Sequence, residues 1–242
     1  MNDLQWTRGG HNHGAALAGE LGWTPVDLHY NSGLHISTNG RMFADLIETL
    51  VQQWPVPVRE LAIIGHSSGG LVSRSAYHYG LAARHHWPRR LRKLLFLGTP
   101  HHGSAVERAG NLVNVGLGLS RYSAPLARIA AIRSPGITDL RHGNLLDQDW
   151  KGTDRFRHAR DLRSPVPLPK RVGCFAIAAS IGRNHALGDG LVSVDSALGR
   201  HPDRRFALAF AKGNLWVAHG LNHWDLLDAP AVYRRIRNWL AS

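Results

Sequence analysis

Residues 61–70, LAIIGHSSGG, decide the fold of this chain. Residues 61–64 form a continuous apolar run of strand length, which is typical of strands buried on both faces of a parallel sheet. The pattern Gly65-x-Ser67-x-Gly69 follows at once, and a helical pattern then runs over residues 71–85. A serine in this pattern between a strand and a helix predicts a nucleophile elbow, a sharp turn that lifts its hydroxyl above the sheet edge.

In such a turn we expect both flanking glycines, Gly65 and Gly69, to be required, because the turn brings their Cα atoms against neighbouring backbone. The alternative is a glycine-rich turn that binds phosphate at a helix N-terminus. The chain has neither the P-loop pattern nor Gly-x-Gly-x-x-Gly here, so the elbow is the favoured interpretation.

The wider chain alternates short apolar runs with helical patterns, which indicates parallel strands joined by helices. The predicted strands are residues 24–30, 61–64, 94–97, 172–179 and 206–211. The predicted helices are a segment that starts after an N-cap at Ser37 or Thr38 and ends before Pro55, then residues 71–85 and 231–240. The fold class is therefore α/β, a mostly parallel sheet with helices on both faces, in a single domain over residues 1–242.

Residues 104–170 interrupt this alternation and are too long for an ordinary connection between strands. They contain two predicted helices, near residues 105–119 and 125–132, followed by turns rich in glycine, aspartate and arginine. We interpret residues 104–170 as an inserted cap. The first helix is either a lid that meets lipid or ordinary packing over the site.

A serine hydroxyl is a weak nucleophile, and it needs a base that is itself oriented by an acid. In folds with the elbow, the acid and then the histidine follow the serine along the chain. Asp189 lies between two glycines shortly after the predicted strand 172–179, which would place its carboxylate at the sheet edge. It is the favoured acid, and Asp195 is the alternative.

Two histidines, His219 and His223, follow the predicted strand 206–211 and qualify as the base. His223 lies at a junction between loop and helix, where the base is expected, and it is favoured over His219. The other histidine pairs of the chain are accompanied by neither a His-Glu-x-x-His helix nor a cysteine pair. No metal site is therefore predicted.

Composition narrows the function further. The 242 residues are 43% hydrophobic and 19% charged, which is typical of a globular chain, and no apolar run approaches the ~20 residues of a membrane span. A net charge of +12 is typical of proteins that bind nucleic acid or an anionic membrane surface. The arginines are scattered along the chain, however, so we interpret most of them as solvent-exposed surface residues and expect no nucleic-acid partner.

A single cysteine, Cys174, excludes an internal disulfide. Without a signal-peptide pattern at Met1, the expected compartment is the cytoplasm.

Four stretches together carry a family resemblance. They are residues 65–72 (GHSSGGLV), 97–104 (LGTPHHGS), 188–192 (GDGLV) and 222–223 (NH). In combination they resemble the α/β-hydrolase superfamily, in the lipase and esterase branch near the GPI inositol-deacylase-like enzymes. The likeness extends into the proposed cap, at residues 139–146 (DLRHGNLL).

The resemblance implies a catalytic triad with Ser67 as nucleophile, Asp189 as acid and His223 as base, and no cofactor. The backbone N–H of Ser68 would belong to the oxyanion hole. The expected reaction is hydrolysis of a carboxylic ester through an acyl-serine intermediate, on a small-molecule or lipid ester, with contact to a lipid surface as a further expectation. Two alternatives stay open: an acyltransferase or thioesterase with the same triad, and a non-catalytic basic binding module on a truncated hydrolase scaffold.

The start of the chain departs from the family pattern, in which a strand ending in His-Gly precedes the first helix and supplies another oxyanion donor. Residues 8–12, which precede His13-Gly14, have no strand pattern. We therefore expect the sheet to lack the strand beside the one that leads to Ser67, and the reading frame to extend upstream of Met1. A backbone amide near residues 7–10 is the alternative donor.

Overall fold

The computed structural model describes residues 6–104, 134–151, 163–182 and 188–242. The strands are β1 (Leu61–His66), β2 (Leu91–Leu97), β3 (Gly173–Ser180) and β4 (Leu215–His219). The helices are α1 (His13–Leu21), α2 (Ile36–Gln53), α3 (Ser68–Ala82), α4 (Pro135–His142), α5 (Val194–Ala197) and α6 (Pro230–Ala241). The helices predicted near residues 105–119 and 125–132 lie outside the described residues.

The four strands form one parallel sheet in the order β1-β2-β3-β4. In register, Ile64 lies beside Leu95, and Phe96 lies beside Ala176. Because all strands run the same way, their carboxyl ends meet at one edge of the sheet, where ligands bind in open α/β folds. The α/β fold class expected from the sequence is confirmed.

Helices cover both faces of the sheet, and the strands are apolar on both sides for that reason. Along β2, Leu94 and Phe96 face the layer of α2 and α3, where Ala44, Ile47 and Ala76 complete a buried cluster. The alternate residues Leu95 and Leu97 face the layer of α1 and α6, where Leu17, Val232 and Ile236 are buried. Of the described helices, none is long and apolar enough to cross a membrane.

The strand predicted at residues 24–30 is not present; this segment lies outside the sheet. Pro25 has no N–H to give to a strand ladder. The segment and β1 instead line one apolar groove, and within the described ranges no strand lies between them to pair with either.

The prediction of a strand at residues 206–211 is also wrong, because the fourth strand is β4, further along the chain. Exposure alternates along residues 206–211, and Phe210 packs against the buried cluster of one sheet face. The backbone does not join the ladder, and Leu208 N–H donates to the carbonyl of Gly199 at 2.8 Å. Alternating apolar residues therefore mark an extended segment that packs on the core outside the sheet.

Helix α2 begins at Ile36, earlier than the predicted caps at Ser37 or Thr38. Its first N–H group is satisfied from a distant part of the chain, since Ile36 N–H donates to Asp139 Oδ2 at 2.8 Å. The other carboxylate oxygen of Asp139 accepts from Asn144 Nδ2 at 3.0 Å. An acidic group at a helix N-terminus is favourable, so the buried Asp139 fixes the residues around α4 against the start of α2.

The outer edge of β1 has no strand partner within the described residues. A groove of about 790 Å³ runs along this edge, between β1, the apolar face of α2 and residues 22–30. Its apolar lining includes Phe43, Leu46, Ile47, Leu50, Trp54, Ala62 and Ile64. Residues 61–64 are therefore only partly buried, although their sequence suits a strand covered on both faces.

Buried histidines make the stability of this fold sensitive to acid. Burial lowers the pKa of His13 and of His102 to about 4, and it holds the pKa of His66 and His101 well below 6.5. The unfolded chain, with histidine pKa near 6.5, binds more protons below that pH, so stability is full above pH 6.5 and falls as the pH drops toward 4. We expect about 2 kcal/mol less unfolding free energy at pH 5 than at pH 7.5 from His13 alone. Urea titrations at the two pH values measure this, and equal free energies would contradict it.

Candidate active site

Ser67 occupies the turn between β1 and α3, in a conformation that residues other than glycine rarely adopt, with φ 53° and ψ −126°. Such a conformation costs on the order of 1–3 kcal/mol and persists only where the surroundings fix it. Here Ser67 N–H donates to the carbonyl of Leu97 at 2.9 Å, and the Ser67 carbonyl accepts from Gly70 N–H at 3.1 Å. The turn is the sharp one expected from the sequence.

The structure corrects which glycines this turn requires. A Cβ at Gly65 would lie 2.6 Å from the backbone nitrogen of Gly70, so Gly65 is required as expected. A Cβ at Gly69 would meet nothing within 4 Å, whereas one at Gly70 would lie 2.0 Å from Thr99 Oγ1. The close approach of α3 to β2 therefore depends on Gly70, and the Gly69 expectation was wrong.

Substitution by alanine should separate these two neighbouring glycines. Gly70→Ala is expected to lower the unfolding free energy by about 1–3 kcal/mol, because its methyl group must displace Thr99 and Phe96. Gly69→Ala is the matched control, and it should be neutral or stabilising by up to ~1 kcal/mol, since alanine favours helix. Urea unfolding of both proteins measures the difference. Equal stability of the two variants would contradict the packing argument.

Asp189 is buried near the carboxyl end of β3, with a carboxylate whose two oxygens have separate partners. Its Oδ1 accepts from the backbone N–H groups of Leu191 at 2.9 Å and Val192 at 2.8 Å. Its loop returns to β3, because Ile181 N–H donates to the carbonyl of Gly188 at 2.8 Å. The second oxygen, Oδ2, is thereby aimed away from its own loop.

His223 follows β4 in a loop, and Asp189 holds it at two points. Nδ1 of His223 donates to Asp189 Oδ2 at 2.6 Å, and the backbone N–H of His223 donates to the Asp189 carbonyl at 3.1 Å. Both side chains are buried. The ring lies against Gly98 at the end of β2, where a Cβ would be 3.0 Å from Nδ1.

The structure thus places the three favoured residues at the same edge of the sheet. Ser67 is bonded to Leu97, and the next residue, Gly98, contacts the ring of His223, which is paired with Asp189. A buried carboxylate, an imidazole and a strained serine in this order can activate a hydroxyl group. The role of each residue stays a prediction.

The alternative acid and base lie elsewhere. Asp195 is part of α5, where its side chain is 72% exposed and pairs with Arg200 at 3.2 Å. His219 is the last residue of β4 and is exposed. Neither residue contributes to the contact between Asp189 and His223.

Comparison with known proteins places the sequence in a family. A family model described as the PGAP1-like alpha/beta domain matches residues 26–164, more than half of the chain. The chain belongs to this family. A comparison with curated proteins found no match.

Among solved structures, the PGAP1-like chain is similar to the Bacillus licheniformis lipase BlEst2. With the mature form the TM-score is 0.61 at 20% identity, covering 99% of this chain and 87% of the lipase. With the propeptide form the TM-score is 0.57 at 19% identity, covering 98% of this chain and 48% of the other. Together with the family match, this establishes an α/β-hydrolase fold.

Two site residues of this PGAP1-like chain were missed by sequence reasoning. The Tyr30 hydroxyl lies 3.1 Å from Ser68 Oγ and ties the end of residues 22–30 to the first turn of α3. Nε2 of His66 lies 3.0 Å from the His223 carbonyl oxygen. Tyr30 gave no signal beyond its place at the end of the predicted strand 24–30, and His66 occupied a variable position of the elbow pattern.

The segment before α1 packs against the His223 loop. The Arg8 guanidinium pairs with Asp228 at 3.1 Å and Asp225 at 3.5 Å. The backbone N–H of Arg8 donates to the carbonyl of His11 at 2.9 Å. That amide, within the stretch named as the alternative oxyanion donor, is therefore already engaged.

Histidine clusters elsewhere in the PGAP1-like chain have structural partners. His13 Nε2 lies 3.0 Å from the Leu226 carbonyl, and His11 Nε2 lies 2.8 Å from His13 Nδ1. His101 lies against Arg74, whose pKa burial lowers to about 9. In the described part of the chain, no three His, Cys, Asp or Glu side chains are grouped closely enough to hold a metal ion.

Proposed function

We propose that this chain hydrolyses carboxylic esters by nucleophilic catalysis at Ser67. The observation that carries the proposal is the 2.6 Å hydrogen bond between His223 Nδ1 and Asp189 Oδ2, buried at the sheet edge where the strained Ser67 lies. A histidine at the surface is not usually paired with a buried carboxylate, whereas the partner of His223 is buried and is itself held by two backbone N–H groups. The lipase-like fold supports the same reaction class.

The hydrogen bond to Asp189 determines which nitrogen of His223 acts as the base. A carboxylate accepts only, so Nδ1 carries the hydrogen and the neutral ring has a free lone pair on Nε2. Ser67 Oγ attacks the ester carbonyl while Nε2 takes the hydroxyl proton, and the resulting imidazolium is stabilised by Asp189. Collapse of the tetrahedral intermediate transfers that proton to the leaving alcohol. Water then attacks the acyl-serine by the same route and releases the acid.

The oxyanion formed in both steps needs hydrogen-bond donors at the start of α3. Ser68 is the first residue of that helix, and the first N–H groups of a helix have no partner within it. The positive end of the helix dipole adds to their effect on a negative oxygen. Tyr30 supports this position through its bond to the Ser68 side chain, and burial raises the Tyr30 pKa, so its hydroxyl stays protonated.

Esters of lipids are the substrate class we favour. The likeness to a lipase supports an acyl substrate, and the net charge of +12 would attract the chain to an anionic lipid surface. p-Nitrophenyl esters of increasing acyl length test this preference. Product analysis with an added alcohol separates hydrolysis from acyl transfer, and thioester substrates test the thioesterase alternative.

The experiment that decides the proposal is labelling with a fluorophosphonate, followed by mapping of the modified residue. We expect a single adduct on Ser67, because only an activated serine reacts with such a probe. Denatured protein and the Ser67→Ala variant are the controls and should stay unlabelled. An unlabelled native protein that binds DNA in a salt-dependent manner would favour the basic binding module instead.

A further inference from the structure

We propose that His66 is a positioning residue that fixes the orientation of His223 through its main-chain carbonyl group. This inference rests on the proposed function, in which His223 acts as the base. His66 is the last residue of β1, directly before Ser67, and it is 2% exposed. Its Nε2 lies 3.0 Å from the His223 carbonyl oxygen, and the two ring centroids are 4.6 Å apart.

The chemistry of this contact determines the tautomer of His66. A carbonyl oxygen only accepts, so Nε2 must carry the hydrogen and Nδ1 must be the unprotonated nitrogen. Nδ1 is buried and has no hydrogen-bond partner within the described residues. Burying an unsatisfied polar atom is unfavourable. If this side chain only filled space, an apolar residue would do so without burying an unsatisfied nitrogen. We therefore attribute the histidine at position 66 to the hydrogen bond that its Nε2 donates.

His66 adds a third point of attachment that Asp189 does not supply. The two other bonds of His223, at its backbone N–H and at Nδ1, both end on Asp189. A residue held only from one neighbour can pivot about it, which would move Nε2 relative to the serine. His66 belongs to the strand that leads to Ser67, and it binds the carbonyl group of His223, whereas Asp189 binds the N–H group of His223. The base and the nucleophile are thereby tied to the same strand end.

The surroundings of His66 keep it uncharged. Trp6 and Trp224 pack near its ring, with centroid separations of 6.5 Å and 5.8 Å. Burial holds the pKa of His66 well below 6.5, and the charged or titratable groups that face the ring, His223, His13 and Arg8, lower it further. A neutral ring is required here, because His223 becomes an imidazolium during the reaction and a second cation at 4.6 Å would oppose that charge.

Two substitutions separate the donor from the ring. His66→Phe keeps an aromatic ring without the donor, and it is expected to lower kcat by about 10²-fold with KM unchanged, the cost of a displaced catalytic group. His66→Gln places an amide N–H near the position of Nε2 and should recover most of that loss. His85→Phe, beyond the far end of α3, is the matched control and should leave kcat unchanged. Thermal unfolding of each variant confirms that it is folded.

The inference is overturned if folded His66→Phe retains the full kcat, or if His66→Gln loses as much as His66→Phe. A measurement independent of activity is ¹⁵N NMR of the histidine rings in the unmodified protein. We expect His66 as the tautomer with hydrogen on Nε2, and a hydrogen on Nδ1 would overturn the inference. Absence of ester hydrolysis in the unmodified protein would instead refute the proposed function, and the NMR result would still test the His66 contact.

Discussion

Ser67→Ala protein is expected to keep its fold and to lose about 10⁴-fold or more in kcat for ester hydrolysis. The substitution removes the proposed nucleophile, whereas the loss of one hydroxyl group from a partly buried side chain leaves the packing intact. The members of a triad act as a unit, so His223→Ala should cost a similar factor and the double variant little more. Hydrolysis of p-nitrophenyl acetate by each purified protein measures the effect, with circular dichroism to verify the fold.

A second histidine provides the matched control for this experiment. His219 lies four residues before His223 and is exposed at the end of β4, so His219→Ala should hydrolyse esters at the rate of the unmodified protein. Full activity in Ser67→Ala would end the assignment of the nucleophile. Loss of activity in His219→Ala, with His223→Ala unaffected, would transfer the role of base to His219.

Asp189→Asn is expected to lower kcat by roughly 10⁴-fold, the size of the effect in the serine-protease case that supplies this magnitude. The hydrogen bonds of the carboxylate make the direction of the effect clear. Oδ1 accepts from two backbone N–H groups, so an asparagine oxygen would keep that place and its NH₂ group would face His223 Nδ1. The amide would donate to Nδ1, which shifts the ring hydrogen to Nε2 and removes the base.

The control for this substitution is Asp195→Asn, because its carboxylate is exposed and pairs with Arg200 at the surface. Both variants differ from the unmodified protein by one amide group, so any general effect of lost charge is shared. A large fall in kcat for Asp195→Asn, with Asp189→Asn unaffected, would reverse the assignment.

The sequence predicted those parts of the molecule that local patterns determine. Residues 61–70 form a strand, a strained turn and a helix, and three local patterns predicted them in that order: the apolar run, the elbow pattern around Ser67 and the helical pattern that follows. The order of serine, acid and histidine along the chain then placed Asp189 and His223 together. The strands at 24–30 and 206–211 failed because an extended, apolar segment looks the same whether or not a neighbouring strand pairs with it.

Contacts between distant segments were beyond such reasoning. The capping of α2 by Asp139 joins residues 103 positions apart, and the bond from His66 to His223 joins residues 157 apart. Neither pair carries a spacing signal in one sequence. The steric role of Gly70 was hidden for the same reason, since Thr99, which it contacts, belongs to the turn after β2.

The open groove beside β1 affects how folding of this protein can be monitored. Fluorescent dyes that report molten globules do so by binding exposed apolar surface. Among the described residues, an apolar groove of about 790 Å³ follows the outer edge of β1 and offers such surface in the native state, before any unfolding. In a dye-based thermal scan, the dye would already fluoresce strongly with the folded protein, and this signal would mask the unfolding transition. Intrinsic fluorescence of its eight tryptophans reports unfolding without that interference.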